Sequence, residues 1–152
     1  MKPMPKKPAA RQPKIRPQRS AEAAKAFEGD AYEIISKMRV GMPARAVPGV
    51  ASNLGLSQDR LLDLLRLPKS TVKGRISVDG LLSATEQDRV YRAENILSCA
   101  VRVLEDDVAA RAWVSRPNRA LGGEVPLALL DTEAGYELVM DTLGRIEYGV
   151  VS

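Results

Sequence analysis

The chain has 152 residues, 45% hydrophobic and 28% charged, with 23 Lys/Arg against 19 Asp/Glu and a formal net charge of +4. That length suits one domain or a compact unit with appendages, and no apolar run nears the roughly 18 residues that span a bilayer. With no histidine and one cysteine, Cys99, histidine acid–base chemistry and an internal disulfide are excluded, and a zinc site is not expected. No catalytic residue, cofactor or metal is therefore expected.

Residues 1–20 hold seven Lys/Arg, five prolines and no acid, which leaves 16 Lys/Arg against 19 Asp/Glu, a net charge of −3, for the rest. Such a stretch cannot bury enough apolar surface to offset chain entropy, so a disordered, extended basic arm is expected. Two readings of it stand: an arm that binds phosphates through counterion release, or a solubilising tail. No apolar signal segment follows the basic residues, and a cytoplasmic location is expected.

Residues 21–39 read as a helix, with Ala23, Phe27, Ile34, Ile35 and Met38 near helical spacing and Gly29-Asp30 as a candidate break. Gly41-Met42-Pro43 stops it. Its expected job is packing or a dimer contact.

Residues 45–77 are more informative. A short helix around 46–54 ends at Gly55, a good left-handed terminator. Ser57 caps a second helix over 58–65, with Asp59 in its first turn and Leu61, Leu62, Leu64 and Leu65 as its buried face. Arg66-Leu67 makes a turn, and Pro68 suits the first turn of a third helix. Val72 and Ile76 point inward from it, which leaves Lys69, Ser70, Lys73 and Gly74 outside. Two short helices joined by such a turn, the second basic outside, form a helix-turn-helix pattern. In that geometry Lys69, Ser70, Thr71, Lys73 and Arg75 are the candidate DNA contacts. An ordinary helical hairpin with a solvated basic face is the alternative. Arg66 stands where this turn often has glycine, and Gly74 weakens the third helix by roughly 1 kcal/mol relative to alanine.

After a connector, Thr85 is expected to cap a long helix, with Asp88 in a variant capping box. Val90, Ala93, Leu97, Ala100, Val101 and Leu104 form its apolar stripe, with Asp88 and Arg92 on the wet side. Cys99 reads as a bland, at least half-buried thiol. Glu105-Asp106-Asp107 opens a further helix, which Pro117 ends. Pro126 starts a short helical turn, and Thr132 caps a last helix whose buried stripe is Tyr136, Val139, Met140, Leu143 and Ile146. No segment alternates with period two long enough for a strand, so the fold class is all-α.

Residues 113–152 carry Trp113, Pro117-Asn118-Arg119-Ala120-Leu121-Gly122-Gly123, Pro126-Leu127, Leu129-Leu130, Thr132-Glu133-Ala134-Gly135, and Gly144-Arg145-Ile146-Glu147-Tyr148-Gly149-Val150. This series resembles the toxin-binding domain of the Xre/MbcA/ParS antitoxin family. The helix-turn-helix pattern resembles the family's N-terminal part, departing from it at Arg66 and at Pro68, where serine is frequent. The resemblance spans about residues 40–152.

It implies a dimeric, non-enzymatic type II antitoxin whose partner is a cognate RES-domain toxin that consumes NAD or ADP-ribosylates. It further implies hetero-oligomers with the toxin, blockade of the toxin's active-site cleft, and repression of its own operon through operator DNA. No membrane partner is implied. The division expected is a basic arm over 1–20, an N-terminal helix with a helix-turn-helix DNA-binding and dimerisation domain over 21–80, and a toxin-binding domain over 81–152. The expected toxin contacts are Asn118 and Arg119 in the loop, and Glu147, Tyr148, Gly149, Val150, Val151 and Ser152 in the tail. An acidic, aromatic tail with a terminal carboxylate suits a dinucleotide cleft lined by cations and apolar faces. Trp113 reads as core or contact, and the glycine pair as backbone geometry. The rival function is a stand-alone helix-turn-helix repressor whose C-terminal domain only dimerises.

Overall fold

The computed structural model describes residues 2–4 and 28–149. Most of the expected basic arm, the first part of the expected 21–39 helix, and Val150, Val151 and Ser152 lie outside them.

The described residues are all-α. Helix α1 (Ala31–Val40) starts where Asp30 and Glu33 close a capping box, so Gly29-Asp30 is a helix start. It buries no residue of its own. Gln87, in contrast, is buried and grips the end of α1, donating to the Met38 carbonyl at 2.7 Å and accepting from the Met42 amide at 2.7 Å.

A 3₁₀ turn (Ala44–Ala46) leads into α2 (Val47–Leu54). Pro48 lies in the first turn of α2, where a missing N–H costs nothing, and Gly55 ends the helix at φ 69°. Ser57 caps α3 (Gln58–Leu64), accepting from the Arg60 amide at 3.1 Å. Leu61, Leu62, Leu64 and Leu65 are all buried, as the sequence predicts. Pro68 sits one residue outside α4 (Lys69–Ser77), which anchors itself through Val72. Main-chain bonds from Ala44 to Gly80 and from Leu82 to Met42 tie the two ends of this segment together.

Helix α5 (Ala84–Leu104) is the spine. Its cap is Ser83, not Thr85: Ser83 accepts from the Glu86 amide, and the Glu86 carboxylate takes the Ser83 amide, both at 3.2 Å. The longer Glu side chain at the third position reaches back where Asp88 cannot. Val90, Ala93, Leu97 and Ala100 are buried as expected, and Ile96 joins them. Helix α5 packs on α2 at one end and on the C-terminal helices along its length.

Left-handed Glu105 ends α5, and Asp106 caps α6 (Asp107–Ser115). Two 3₁₀ turns (Arg119–Leu121 and Pro126–Leu129) precede α7 (Glu133–Glu147), which Thr132 caps. One apolar core runs from Met42 to Leu143. Arg92 is not on the wet side. The start of α7 and the preceding turn fold over it, so its side chain is only 12% exposed, between Asp88 at 2.9 Å and Glu133 at 2.8 Å. It also donates to the Leu130 carbonyl and lies over the Tyr136 ring. Ile146, expected in the buried stripe, is 41% exposed, because α7 outruns the core after Leu143. Among the described residues no helix is long and apolar enough to cross a membrane.

Candidate functional site

Two regions hold the expected contacts, one on α3–α4 and one where α7 ends. In the first, the turn keeps the helix-turn-helix geometry despite Arg66. That residue takes φ 54°, in the left-handed region glycine usually supplies. The Leu67 amide donates to Leu62 O at 2.9 Å, and Arg89 donates to the Leu65 and Arg66 carbonyls at 3.2 and 2.9 Å. Arg66 itself faces Asp131 at 3.7 Å. A conformation that costs an ordinary residue about 1–2 kcal/mol is thus held by a neighbouring helix.

Ser70 and Thr71 are exposed in the first turn of α4. The three expected cations of α4 are each engaged within the chain. Lys69 pairs with Asp63 at 2.7 Å and Lys73 with Asp59 at 2.6 Å. Arg75 closes onto Glu86 and is turned toward the start of α5. The hydrogen bond from Lys73 holds the Asp59 carboxyl below its usual range, and the hydrogen bond to Asp63 raises Lys69. The structure therefore joins Lys69, Ser70, Thr71 and Lys73 on the outer side of α4 and separates Arg75 from them.

In the second region, Asn118 caps the 3₁₀ turn, its side chain accepting from the Ala120 amide at 2.9 Å. Its main chain pairs with Glu124 and Gly123, which closes the loop. Gly122 and Gly123 take φ 67° and 84°, and a Cβ on either would meet open space, so backbone conformation alone demands glycine there. Leu121 is buried beneath the turn, whereas Arg119 is exposed. Trp113 is half-buried against the core.

Helix α7 packs on this same turn and delivers the tail. Its last turn is closed by Tyr148 and Gly149 amides donating to the Gly144 and Ile146 carbonyls. Tyr148 is 81% exposed. Glu147 is held by the Arg102 guanidinium of α5, which also reaches the Cys99 sulfur at 3.5 Å. Among the described residues no hydrogen bond or ion pair joins Arg119 to Glu147 or Tyr148. Val150, Val151 and Ser152 lie outside the described residues.

Sequence reasoning missed Arg102, whose partner Glu147 lies 45 residues on and leaves no local signal. At Gly144, named in the C-terminal motif, a Cβ would meet nothing within 4 Å among the described residues.

The C-terminal toxin-binding domain of the antitoxin Xre/MbcA/ParS family matches residues 99–149, and the antitoxin Xre-like helix-turn-helix domain matches residues 33–93. Both matched regions extend into α5. The antitoxin Xre of Photorhabdus laumondii is 32% identical over 113 residues, 74% of this chain and 76% of the relative. The antitoxin Xre of Yersinia enterocolitica is 27% identical over 120 residues, 78% of this chain and 81% of the relative. A protein named Prs ADP-ribosylating antitoxin, from a Sphingobium species, is 24% identical over 132 residues, 81% of this chain and 83% of the relative.

Proposed function

The chain belongs to the Xre antitoxin family, and from that premise we propose that it neutralises a RES-domain toxin by laying its C-terminal tail over the toxin's active-site cleft. The observation that carries this reading is the exposed tail root. Tyr148 stands 81% exposed beyond a well-packed helix, next to an acid, Glu147, and a glycine at φ 68°. A cleft that binds a dinucleotide offers cations for phosphates and apolar walls for rings, and Glu147, Tyr148, Val150 and Val151 match both. The relative named as an ADP-ribosylating antitoxin supports a nucleotide-using partner. Asn118 and Arg119 form a second contact, in which the exposed Arg119 fork pairs with a toxin carboxylate. The open side of Gly144 suits close approach by a partner.

In this reading the protein is cytoplasmic and not an enzyme, and residues 81–152 act on the toxin while 21–80 act on DNA and on a second copy. Helix α1 supports the homodimer: it buries no residue, and Tyr32 and Val40 are 82% and 80% exposed. Operator binding by Lys69, Ser70, Thr71, Lys73 and Arg75 gives autorepression, with Arg75 the member whose engagement with Glu86 must be broken.

The test is co-expression with the toxin encoded beside it, with NAD consumption and ADP-ribosylation assayed. The full chain is expected to form a tight complex that silences the toxin. Removal of residues 148–152 is expected to abolish neutralisation while leaving the fold intact. Full neutralisation by the truncated chain would sink the tail mechanism. A chain that purifies alone and only binds its promoter would make it a repressor whose C-terminal domain dimerises.

A further inference from the structure

Helices α3 and α4 meet through a ladder of opposite charge. Asp59 and Asp63 are four apart on α3, and Lys69 and Lys73 are four apart on α4. The rungs are Asp63–Lys69 at 2.7 Å and Asp59–Lys73 at 2.6 Å. All four side chains keep substantial solvent contact, so both pairs are exchangeable with an external anion. Arg75, held on the buried Glu86, is not part of this ladder.

We propose that Asp59 and Asp63 are specificity-determining residues of the DNA face, which suppress binding to phosphate backbone alone. The proposal rests on the DNA-binding reading of α3–α4. A lysine already paired with a carboxylate gains little by exchanging it for a phosphate, because the displaced carboxylate remains beside the incoming anion. A free lysine releases counterions from DNA and gains affinity on any sequence. With both lysines neutralised in place, a backbone contact is nearly neutral. Discrimination then falls to Ser70 and Thr71, exposed in the first turn of α4 where side chains meet base edges.

The test uses the full chain with Asp59→Asn, Asp63→Asn, the double variant, and Asp141→Asn as a control for net charge, since Asp141 is exposed on α7. Affinities for an unrelated duplex and for the protein's own promoter fragment are measured over a range of salt. The double variant is expected to bind the unrelated duplex about tenfold tighter, with a salt slope steeper by about 0.9 for each freed lysine. The promoter gains less, so the ratio of the two affinities falls. The Asp141→Asn control is expected to leave that ratio and the slope unchanged.

Equal effects of Asp141→Asn would overturn the proposal in favour of net charge. Weaker binding by a folded double variant would overturn it too, by showing that the carboxylates pose the lysines for DNA. Promoter binding by the unsubstituted chain with no change in any variant removes this proposal alone. Absence of binding by every form removes the DNA-binding reading along with it.

Discussion

Arg75, the last cation of α4, closes its guanidinium onto the carboxylate of Glu86, the residue that completes the capping box of α5. One buried carboxylate thus fixes the start of the spine helix and ties down the end of the helix before it. Replacing Glu86 by alanine removes the cap's return bond and leaves Arg75 without its acid. Losing a cap costs about 1 kcal/mol, and breaking a partly buried pair costs more, so a loss of roughly 2–4 kcal/mol is expected. Glu86→Gln keeps the shape and loses the charge, and should fall between the two. Urea unfolding of the three proteins checks this order, and an unchanged midpoint for Glu86→Ala would remove the pair from the account of stability.

Gly135, in the Thr132-Glu133-Ala134-Gly135 stretch, is needed for close approach rather than for an unusual dihedral. A Cβ there would lie 1.9 Å from the Leu129 carbonyl oxygen, with that residue's backbone unable to yield cheaply. Gly135→Ala is expected to destabilise by at least the roughly 1–3 kcal/mol typical of overpacking. Thermal unfolding measures it. Wild-type stability in Gly135→Ala would mean that the turn before α7 shifts freely.

Much of this was legible in the sequence, and the reason differs from element to element. Ser57, Gly55 and Thr132 mark helix ends because their side chains or dihedrals act on the adjacent backbone alone. The stripes on α3 and α5 follow from period 3.6 and burial. The asparagine and glycine pair at 118–123 form a tight loop, as their chemistry requires. Partners that arrive from elsewhere were not legible. Periodicity put Arg92 on a polar face, but only the fold places Glu133, 41 residues on, across it. The same applies to Arg102 and Glu147, 45 residues apart. Ile146 fits the stripe of α7 by spacing, yet the core stops before reaching it.

Gly74 offers the opposite experiment to Gly135. A Cβ on it would meet nothing within 4 Å, and it sits inside α4 on the outer side. Gly74→Ala is expected to raise stability by about 0.5–1 kcal/mol through helix propensity and reduced unfolded-state entropy. If DNA approaches this face closely, the same substitution weakens promoter binding. Melting temperature and promoter affinity measured together separate the two effects. A stabilised variant with full affinity would place the DNA backbone away from Gly74.

Arg102 of α5 holds Glu147 in the last turn of α7, at the root of the tail. The pair is partly exposed at the surface, so its loss costs about 1 kcal/mol of fold stability. Arg102→Glu replaces attraction with repulsion at the tail root and should weaken toxin neutralisation about two- to fivefold, with little change in unfolding. The double exchange, Arg102→Glu with Glu147→Arg, restores an ion pair of reversed sense. Recovery of neutralisation in the double variant would assign Glu147 a positioning role, because the toxin would then see a cation where an acid had stood. Failure to recover, with the fold intact, would assign the Glu147 carboxylate a direct contact with a cation of the toxin cleft. Titration calorimetry against the toxin, beside the activity assay, distinguishes the two, since only the direct contact makes affinity fall further in the double variant than in Arg102→Glu alone.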